Sequence, residues 1–282
     1  MIKDQTQQKQ LAEVFLALHH SNELFILPNA WDGMSAKIFE LEGFKAIGTT
    51  SAGVAATLGY PDGEKITLEE NIHVSERIVR CCCVPVSVDM EAGYGETINE
   101  VVKSAQAVIN CGAVGLNLED STGNPDHPMY DQLLQCEKII AIREMANSRA
   151  IHLCINARTD SFLIETDPEA KLKDAIVRGN LYREAGADCI FVPDMGNLNK
   201  MEIETLVKEI NAPINVIAGP TTPPISVLNE IGVSRVSLGP RPMRAIYSVL
   251  KKMSQELKAA GTYECMCESS ITYGDVNGWF KK

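Results

Sequence analysis

VPVSVDMEAGYG, at residues 84–95, is the stretch from which the fold and the chemistry of this chain can be worked out. Its first five residues form a short run rich in valine, which predicts a buried parallel strand. Asp89 and Glu91 follow, and in an extended backbone their carboxylates would leave the same face of the strand end. Two carboxylates this close repel each other unless a cation or a shared proton intervenes. The pattern therefore indicates either a divalent-cation site or a solvated acidic turn.

The composition is that of ordinary globular protein: 282 residues, 45% hydrophobic and 22% charged. This length suits one large α/β domain or two smaller ones. A formal net charge of -11 argues against a nucleic-acid backbone or an anionic membrane as partner. The first residues are polar rather than signal-like, and no apolar run reaches the roughly 18 residues of a membrane span. Because the nine cysteines form no paired C-x-x-C set, we expect reduced thiols and a cytoplasmic location.

Short apolar segments alternate with helical patterns along most of the chain. Eight of them are predicted to be strands, at residues 24–28, 46–49, 84–88, 114–118, 151–155, 189–192, 214–217 and 235–238. Strand–helix alternation with eight strands predicts a closed (β/α)8 barrel of the TIM type, and an open doubly wound sheet is the alternative. We predict a single domain over residues 1–282, with an extra N-terminal helix within 1–22 and a tail at 261–282.

Polar side chains cluster where the predicted strands end. In a (β/α)8 barrel the active site forms at the carboxyl ends of the strands. The residues that fall there are Asn29, Asp32, Thr50, Ser51, Ala52, Asp89, Glu91, Glu119, Asp120 and Arg158. One arginine and several acids would therefore lie together at the carboxyl end of the barrel, which we call the mouth. This grouping predicts a binding site for an anionic ligand and a cation.

Each of these candidates also has a structural interpretation. The small residues 50–53 could offer backbone N–H groups to a carboxylate or enolate oxygen, or could simply form a tight turn. Arg158 could grip a substrate carboxylate, or it could pair with Asp160 or Glu119. Glu119 could reach a metal through water, or serve only as the partner of Arg158. Asp62 lies in a Pro-Asp-Gly turn, a common turn sequence by itself.

Several reaction classes are disfavoured by what the strand ends lack. No lysine follows a predicted strand, which argues against a Schiff-base aldolase. Nothing resembles a serine or cysteine triad. The glycines match neither a phosphate loop nor a dinucleotide fingerprint, and the five histidines show no metal-ligand spacing.

Six segments together resemble the isocitrate lyase and phosphoenolpyruvate mutase superfamily. They are LPNAWDGMSA (27–36), TSAGVAA (50–56), LGYPD (58–62), DMEAGYG (89–95), LED (118–120) and NARTD (156–160). The resemblance spans most of residues 25–241, in the order of the family. It implies a barrel whose eighth helix is swapped between subunits, in a homodimer or a homotetramer.

The resemblance also implies roles for individual residues. Mg²⁺, with Mn²⁺ as a substitute, would be held at Asp89, with Glu91 and Glu119 acting directly or through water. A small 2-oxo carboxylate would be the substrate, and its enolate would be stabilised while a C–C or P–C bond beside it is made or broken. The implied catalytic residues are Asp62 and Arg158, and the implied substrate-binding residues are Asn29, Trp31, Thr50, Ser51, Ala52 and Arg158.

Departures from the family pattern leave the exact reaction open. Isocitrate lyases carry a cysteine after the strand-four acids, but here no cysteine lies between Cys111 and Cys136. Mutases carry a lysine in the loop after those acids, and residues 121–128 contain none. Two other hypotheses are a carboxylate-binding protein without catalysis, and an unrelated barrel that binds phosphate at Gly219 and Gly239.

Overall fold

A computed structural model describes residues 4–194, 198–268 and 270–281 of the chain. Its strands are β1 (Phe25–Leu27), β2 (Asn29–Ala30), β3 (Ile47–Thr49), β4 (Val86–Asp89), β5 (Gly115–Glu119), β6 (Cys154–Arg158), β7 (Cys189–Phe191), β8 (Ile214–Ile217) and β9 (Arg235–Ser237). Its helices are α1 (Gln5–His19), α2 (Gly33–Leu41), α3 (Ser51–Leu58), α4 (Leu68–Cys81), α5 (Ile98–Asn110), α6 (Gln132–Ser148), α7 (Ser161–Ile164), α8 (Pro168–Glu184), α9 (Lys200–Glu209), α10 (Ile225–Ile231), α11 (Arg241–Ala259), α12 (Glu264–Cys267) and α13 (Tyr273–Trp279).

The nine strands form one parallel sheet that returns to its own start. Its order is β1-β9-β8-β7-β6-β5-β4-β3-β2. Only Pro28 separates β1 from β2, and proline has no N–H to donate to a ladder. The two outer strands of the order are therefore one stretch of chain, which pairs with β9 through its first half and with β3 through its second. The predicted eight-stranded barrel is confirmed, and the open sheet is excluded.

Polar side chains line part of the inner face of the barrel. Asn117 on β5 contacts Arg235 on β9, although these two strands are not neighbours in the sheet. Such a contact can form only across the inside of the barrel. Because side chains alternate along a strand, Val86 and Val88 point outward and join the main hydrophobic core, while Ser87 and Asp89 point inward.

Helix α1 closes the amino-terminal end of the barrel. Phe15 is fully buried, and its ring packs edge-on against His19 and Phe25. A Cβ atom on Gly115 would lie 2.6 Å from the Phe15 ring, so only glycine allows this close approach. Burial lowers the pKa of His19 to about 3, so this histidine is a neutral part of the packing. The extra N-terminal helix is thereby confirmed, and the open end of the barrel is the carboxyl one.

The chain divides into two compact units, Met1–Gly239 and Pro240–Lys282. The first contains all nine strands, and the second begins at α11. Along α11 one row of apolar side chains is exposed, namely Ile246, Val249, Leu250 and Leu257. Within the described ranges, no helix is both long enough and apolar enough to span a bilayer. The single-domain assignment and the swap of the eighth helix stay predictions.

Candidate active site

Asp89 ends β4 with both oxygens of its carboxylate oriented by neighbours. Oδ2 accepts a hydrogen bond from the backbone N–H of Ser51 at 3.0 Å. Oδ1 accepts one from Nδ2 of Asn117 at 3.3 Å, and the two residues are register partners on β4 and β5. The backbone of Asp89 is held as well, since its N–H donates to Thr49 Oγ1 at 2.8 Å and its carbonyl accepts from Asn71 at 3.0 Å. Each carboxylate oxygen keeps acceptor capacity for a further ligand.

The small residues after β3 form the first turn of α3. Thr50 is the N-cap residue, and its N–H donates to the carbonyl of Ala30 at 3.1 Å. The N–H of Ser51 is taken by Asp89. The N–H of Ala52 lies in the first turn, where no intrahelical acceptor exists. Of the N–H groups at residues 50–53, those of Ala52 and Gly53 in the first turn of α3 are therefore left for a ligand.

The direction of the Glu91 side chain is set by a turn after β4 and not by the strand itself. Its φ is +46°, in the left-handed region, so the alternation that places Asp89 does not extend to it. Its carboxylate accepts from the backbone N–H of Glu64 at 2.7 Å and from the hydroxyl of Tyr94 at 3.0 Å. Burial, followed by the negative charges of Asp89 and Asp62, raises the pKa of Glu91 to about 7.

Asp62 lies in the loop after α3 and interacts electrostatically with Asp89 and Arg158. Its pKa is raised by desolvation first and then by the charge of Asp89. A hydrogen bond from the Ser51 side chain and the positive charge of Arg158 oppose this shift. Asp62 is thus close enough to Asp89 to interact electrostatically, although they lie in different loops. Its part in the reaction stays a prediction.

Arg158 carries two carboxylate partners at the end of β6. Its Nη1 lies 2.7 Å from Glu119 Oε2, a contact set up because these residues are register partners on β5 and β6. Its Nε and Nη2 donate to the carboxylate of Asp160 at 2.6 and 3.0 Å. These acids raise the pKa of Arg158 against the cost of burial, so the guanidinium stays charged. Burial holds the pKa of Glu119 well above its usual range, and Arg158 opposes that shift.

Asn29 and Trp31 lie in the framework around the mouth. The Asn29 side chain links β3 to the segment that follows β9, at the point where the barrel closes. Its amide donates to the Thr49 carbonyl at 2.8 Å. Its carbonyl oxygen accepts from the N–H groups of Leu238 and Gly239 at 2.8 and 2.9 Å. Trp31 is 5% exposed. Contacts of either residue with a substrate stay predictions.

The oxygen donors at the mouth fit a hard divalent cation held largely through water. Within residues 4–194, 198–268 and 270–281, no three acidic, histidine or cysteine side chains are arranged as a direct ligand set. Glu119 is paired with Arg158, and Glu91 has two donors of its own. Asp89 stays the predicted direct ligand, and a Mg²⁺ ion bound there would keep several waters.

A cavity of about 90 Å³ lies beside these acids. Its lining residues are Gly63, Glu64, Glu91, Ala92, Glu119, Ser121, Thr122, Gly123 and Tyr130. A wider depression of about 720 Å³ lies at the amino-terminal ends of β7 to β9, where it includes Asp188 and Ser234. None of the predicted site residues lines that depression. The small cavity is lined by two of the predicted site residues, Glu91 and Glu119.

A sequence profile of the phosphoenolpyruvate phosphomutase family matches residues 15–258. The chain belongs to this family. An uncharacterized protein of Mycobacterium tuberculosis is 37% identical over 231 residues, 82% of this chain and 83% of its own length. A 2-methylisocitrate lyase of Halalkalibacterium halodurans is 28% identical, covering 96% of this chain and 90% of that protein. A Burkholderia cenocepacia structure described as a lyase/mutase has a TM-score of 0.90 and 32% identity, with 98% of each chain covered.

The predicted superfamily is thereby confirmed, and the chain is an enzyme of that superfamily. The match covers the whole barrel and extends into α11. The reaction of this particular member and the role of each residue stay predictions.

Three residues that hold Asp89 were not among the sequence candidates, namely Thr49, Asn71 and Asn117. Asn117 sits two residues before Glu119 on β5, so a period of two would have placed both on the inner face. Asn71 lies on α4, and nothing in its local sequence signals a contact with the Asp89 carbonyl. Only the packing of α4 against the barrel brings it there.

Asp120 follows Glu119 but points away from the mouth. It is fully buried and accepts hydrogen bonds from the Asp160 N–H at 2.9 Å and the Tyr182 hydroxyl at 2.7 Å. Arg178 donates to it at 3.1 Å. Adjacent acids at the end of β5 therefore have different tasks: one faces the site and the other fixes the framework behind it.

A buried lysine packs against Tyr130, one of the residues that line the small cavity. Lys138 on α6 is fully buried, and its Nζ lies 3.4 Å from the centre of the Tyr130 ring. Its Nζ has no hydrogen-bond partner among the described residues. Burial lowers the pKa of Lys138 from 10.5 to about 8, while Glu64 and Asp120 favour the charged form.

We expect Lys138→Met to stabilise the protein by about 1–2 kcal/mol at pH 7, because a buried charge is removed and only a cation–π contact is lost. Below pH 8 the folded and unfolded chains both carry the proton, so the cost of burying the charge is fully present. As the pH rises from 8 toward 10.5 the folded protein loses the proton first, and the gain from the substitution should shrink.

Urea unfolding of both proteins at pH 7 and pH 10 measures this change. Lys103→Met, at an exposed position of α5, is the matched control and should show no such dependence. A Lys138→Met protein that is less stable than the parent by the same amount at both pH values would show that the lysine stabilises through packing.

Proposed function

We propose that this chain is a Mg²⁺-dependent enzyme that makes or breaks a bond next to the enolate of a small 2-oxo carboxylate. The observation that carries the proposal is the arrangement around Asp89. Its carboxylate is oriented on both oxygens, and a charged Arg158 lies in the same group of interacting charges. A cation site and an anion site therefore adjoin each other at the open end of the barrel. Mn²⁺ is expected to replace Mg²⁺, since both accept carboxylate and water oxygens.

The chemistry follows from this pairing. A divalent cation at Asp89 would supply Lewis-acid polarisation of the 2-oxo group. Arg158 would orient a substrate carboxylate through its N–H groups that face neither Glu119 nor Asp160. The Ala52 N–H at the start of α3 is a fixed donor suited to negative charge that develops on oxygen. Tyr130 and the loop before it would limit the access of water to the small cavity.

Cleavage or formation of a C–C bond is favoured over P–C chemistry. The loop at residues 121–131 contains no lysine to meet a phosphonate group. The cavity of about 90 Å³ suits a small substrate. A relative that matches 96% of this chain is named 2-methylisocitrate lyase. Oxaloacetate and short alkylmalates are therefore the first substrates to try, and phosphonopyruvate is the next.

The test is a screen of these compounds with Mg²⁺, with products identified by NMR and a parallel set in EDTA. We expect turnover of at least one compound that stops in EDTA. Mg²⁺-dependent binding without turnover of any compound would favour a carboxylate-binding protein. Binding of sugar phosphates in EDTA would instead favour a phosphate site near Gly219 and Gly239.

We also propose that the chain forms a homodimer or a homotetramer through α11. The exposed row of Ile246, Val249, Leu250 and Leu257 recurs at helical spacing. An apolar stripe of this kind normally meets a partner surface. Light scattering during size-exclusion chromatography should give a mass of two or four chains, and a monomer at micromolar concentration would contradict the proposal. The proposed cytoplasmic location stays a prediction.

A further inference from the structure

Arg235 places a positive charge inside the barrel, well below the mouth. It lies at the start of β9 and is 1% exposed. Its Nη2 makes one long hydrogen bond, 3.4 Å, to Asn117 Oδ1. Across the described residues, its Nε and Nη1 have no hydrogen-bond partner. A buried charge with so few partners costs stability, so packing alone does not explain an arginine at this position.

Asn117 connects this charge to Asp89. Its Oδ1 accepts from Asn156 Nδ2 at 2.8 Å as well as from Arg235. A guanidinium can only donate, so it fixes the amide with Oδ1 toward β9 and Nδ2 toward β4. The Nδ2 group then donates to Asp89 Oδ1 at 3.3 Å. If the amide rotated by half a turn, its oxygen would face the carboxylate and its N–H₂ group would face the guanidinium, and both contacts would be repulsive.

We propose that Arg235 is a positioning residue that orients the Asp89 carboxylate through Asn117. This inference rests on the proposed function, in which Asp89 is the direct ligand of the divalent cation. With Oδ1 held by Asn117 and Oδ2 held by the Ser51 N–H, the carboxylate is oriented before a cation arrives. Groups that orient a metal ligand in this way typically contribute about tenfold to a hundredfold in metal affinity.

A simple electrostatic role for Arg235 predicts the opposite result. Its charge and that of Asp89 attract each other. A positive charge near the site also repels an incoming cation, so its removal would tighten metal binding if charge alone mattered. Under the positioning role, removal weakens metal binding, because the Asn117 amide is free to turn. The sign of the change therefore distinguishes the two roles.

The experiment measures the Kd of Mn²⁺ by calorimetry and by the EPR signal of the free ion, for the full-length protein without substrate. We expect Arg235→Met to weaken Mn²⁺ binding about tenfold. Asn117→Ala should weaken it to a similar extent, and the double variant should bind no more weakly than Asn117→Ala alone. Arg143→Met is the matched control: Arg143 pairs with Asp188 at the amino-terminal end of β7, so its loss should leave Mn²⁺ binding unchanged.

Urea unfolding of each variant shows whether the barrel still forms. If Arg235→Met does not fold, Arg235→Gln keeps a polar side chain inside the barrel and is expected to weaken Mn²⁺ binding in the same direction. Binding as tight as or tighter than that of the parent, in whichever variant folds, would overturn the positioning role. An additive loss in the double variant would overturn the route through Asn117. Asp89→Ala separates the two proposals, because full Mn²⁺ binding by that variant would refute the metal role of Asp89 itself.

Discussion

Asp89→Ala is expected to lower Mg²⁺-dependent turnover by about 10³-fold or more. Its two oxygens are oriented by the neutral N–H donors of Ser51 and Asn117, and each keeps acceptor capacity for a cation. Glu119 is paired with Arg158, and Glu91 is satisfied by a backbone N–H and a tyrosine hydroxyl. Neither can replace Asp89 without giving up an existing contact. The loss should therefore appear as lost metal binding and not only as a slower reaction.

The variant should keep its fold, since Asp89 ends its strand and its backbone contacts do not involve the carboxylate. Circular dichroism and urea unfolding check this point. Asp89→Asn is a closer test, because it removes the charge with little change in shape. Glu13→Gln, at an exposed position of α1, is the matched control for a change of one charge. Turnover of Asp89→Ala equal to that of the parent would rule out the metal role.

Asp120→Ala should cost about 3–5 kcal/mol of unfolding free energy, the largest expected effect on stability. The carboxylate is fully buried and accepts from the Asp160 N–H, the Tyr182 hydroxyl and Arg178. Its removal leaves the mostly buried guanidinium of Arg178 with Asp174 as its one acidic partner among the described residues. Because Asp160 in turn holds Arg158, activity should also fall through misplacement of that arginine.

Urea unfolding monitored by fluorescence measures this cost. Asp120→Asn should lose less, since the amide oxygen can still accept from Tyr182 or from Arg178. Asp126→Ala, an exposed acid in the following loop, serves as the control and should change the unfolding free energy by less than about 0.5 kcal/mol. A loss below about 1 kcal/mol for Asp120→Ala would mean that the Asp120 network does not stabilise the barrel.

The barrel was predictable because its signal is repeated along the chain. Each strand is a short apolar run and each is followed by a helix, so one error in a boundary does not change the count. The boundaries were less accurate. Pro28 splits the first strand in two, and β6 begins at Cys154 rather than at residue 151. Its pairing extends to Arg158, which is why that arginine stands directly beside Glu119.

The site was predictable only where strand geometry controls it. Asp89 and Glu119 lie on the inner face by simple alternation, as does Asn117 between β4 and β6. Glu91 was expected on the same face for the same reason, but a left-handed turn at that residue orients it instead. Asp62 depends on the path of a loop. No local pattern could predict such a path.

Long-range contacts inside the barrel were beyond any sequence pattern. Arg235 looks like the polar start of a strand, and its contact with Asn117 joins residues 118 positions apart. The sequence also does not show that Glu119 faces the site while Asp120 holds the framework behind it. Adjacent residues at a strand end point to opposite faces, and the sequence does not say which face holds the ligand.

Titration with oxalate, a small dicarboxylate that resembles an enolate of a 2-oxo acid, tests the central claim most directly. By calorimetry, the parent protein should bind oxalate in the presence of Mg²⁺ and lose that binding in EDTA, and Asp89→Ala should bind none in either condition. Equal oxalate binding with Mg²⁺ and with EDTA would contradict a carboxylate site that depends on a cation at Asp89.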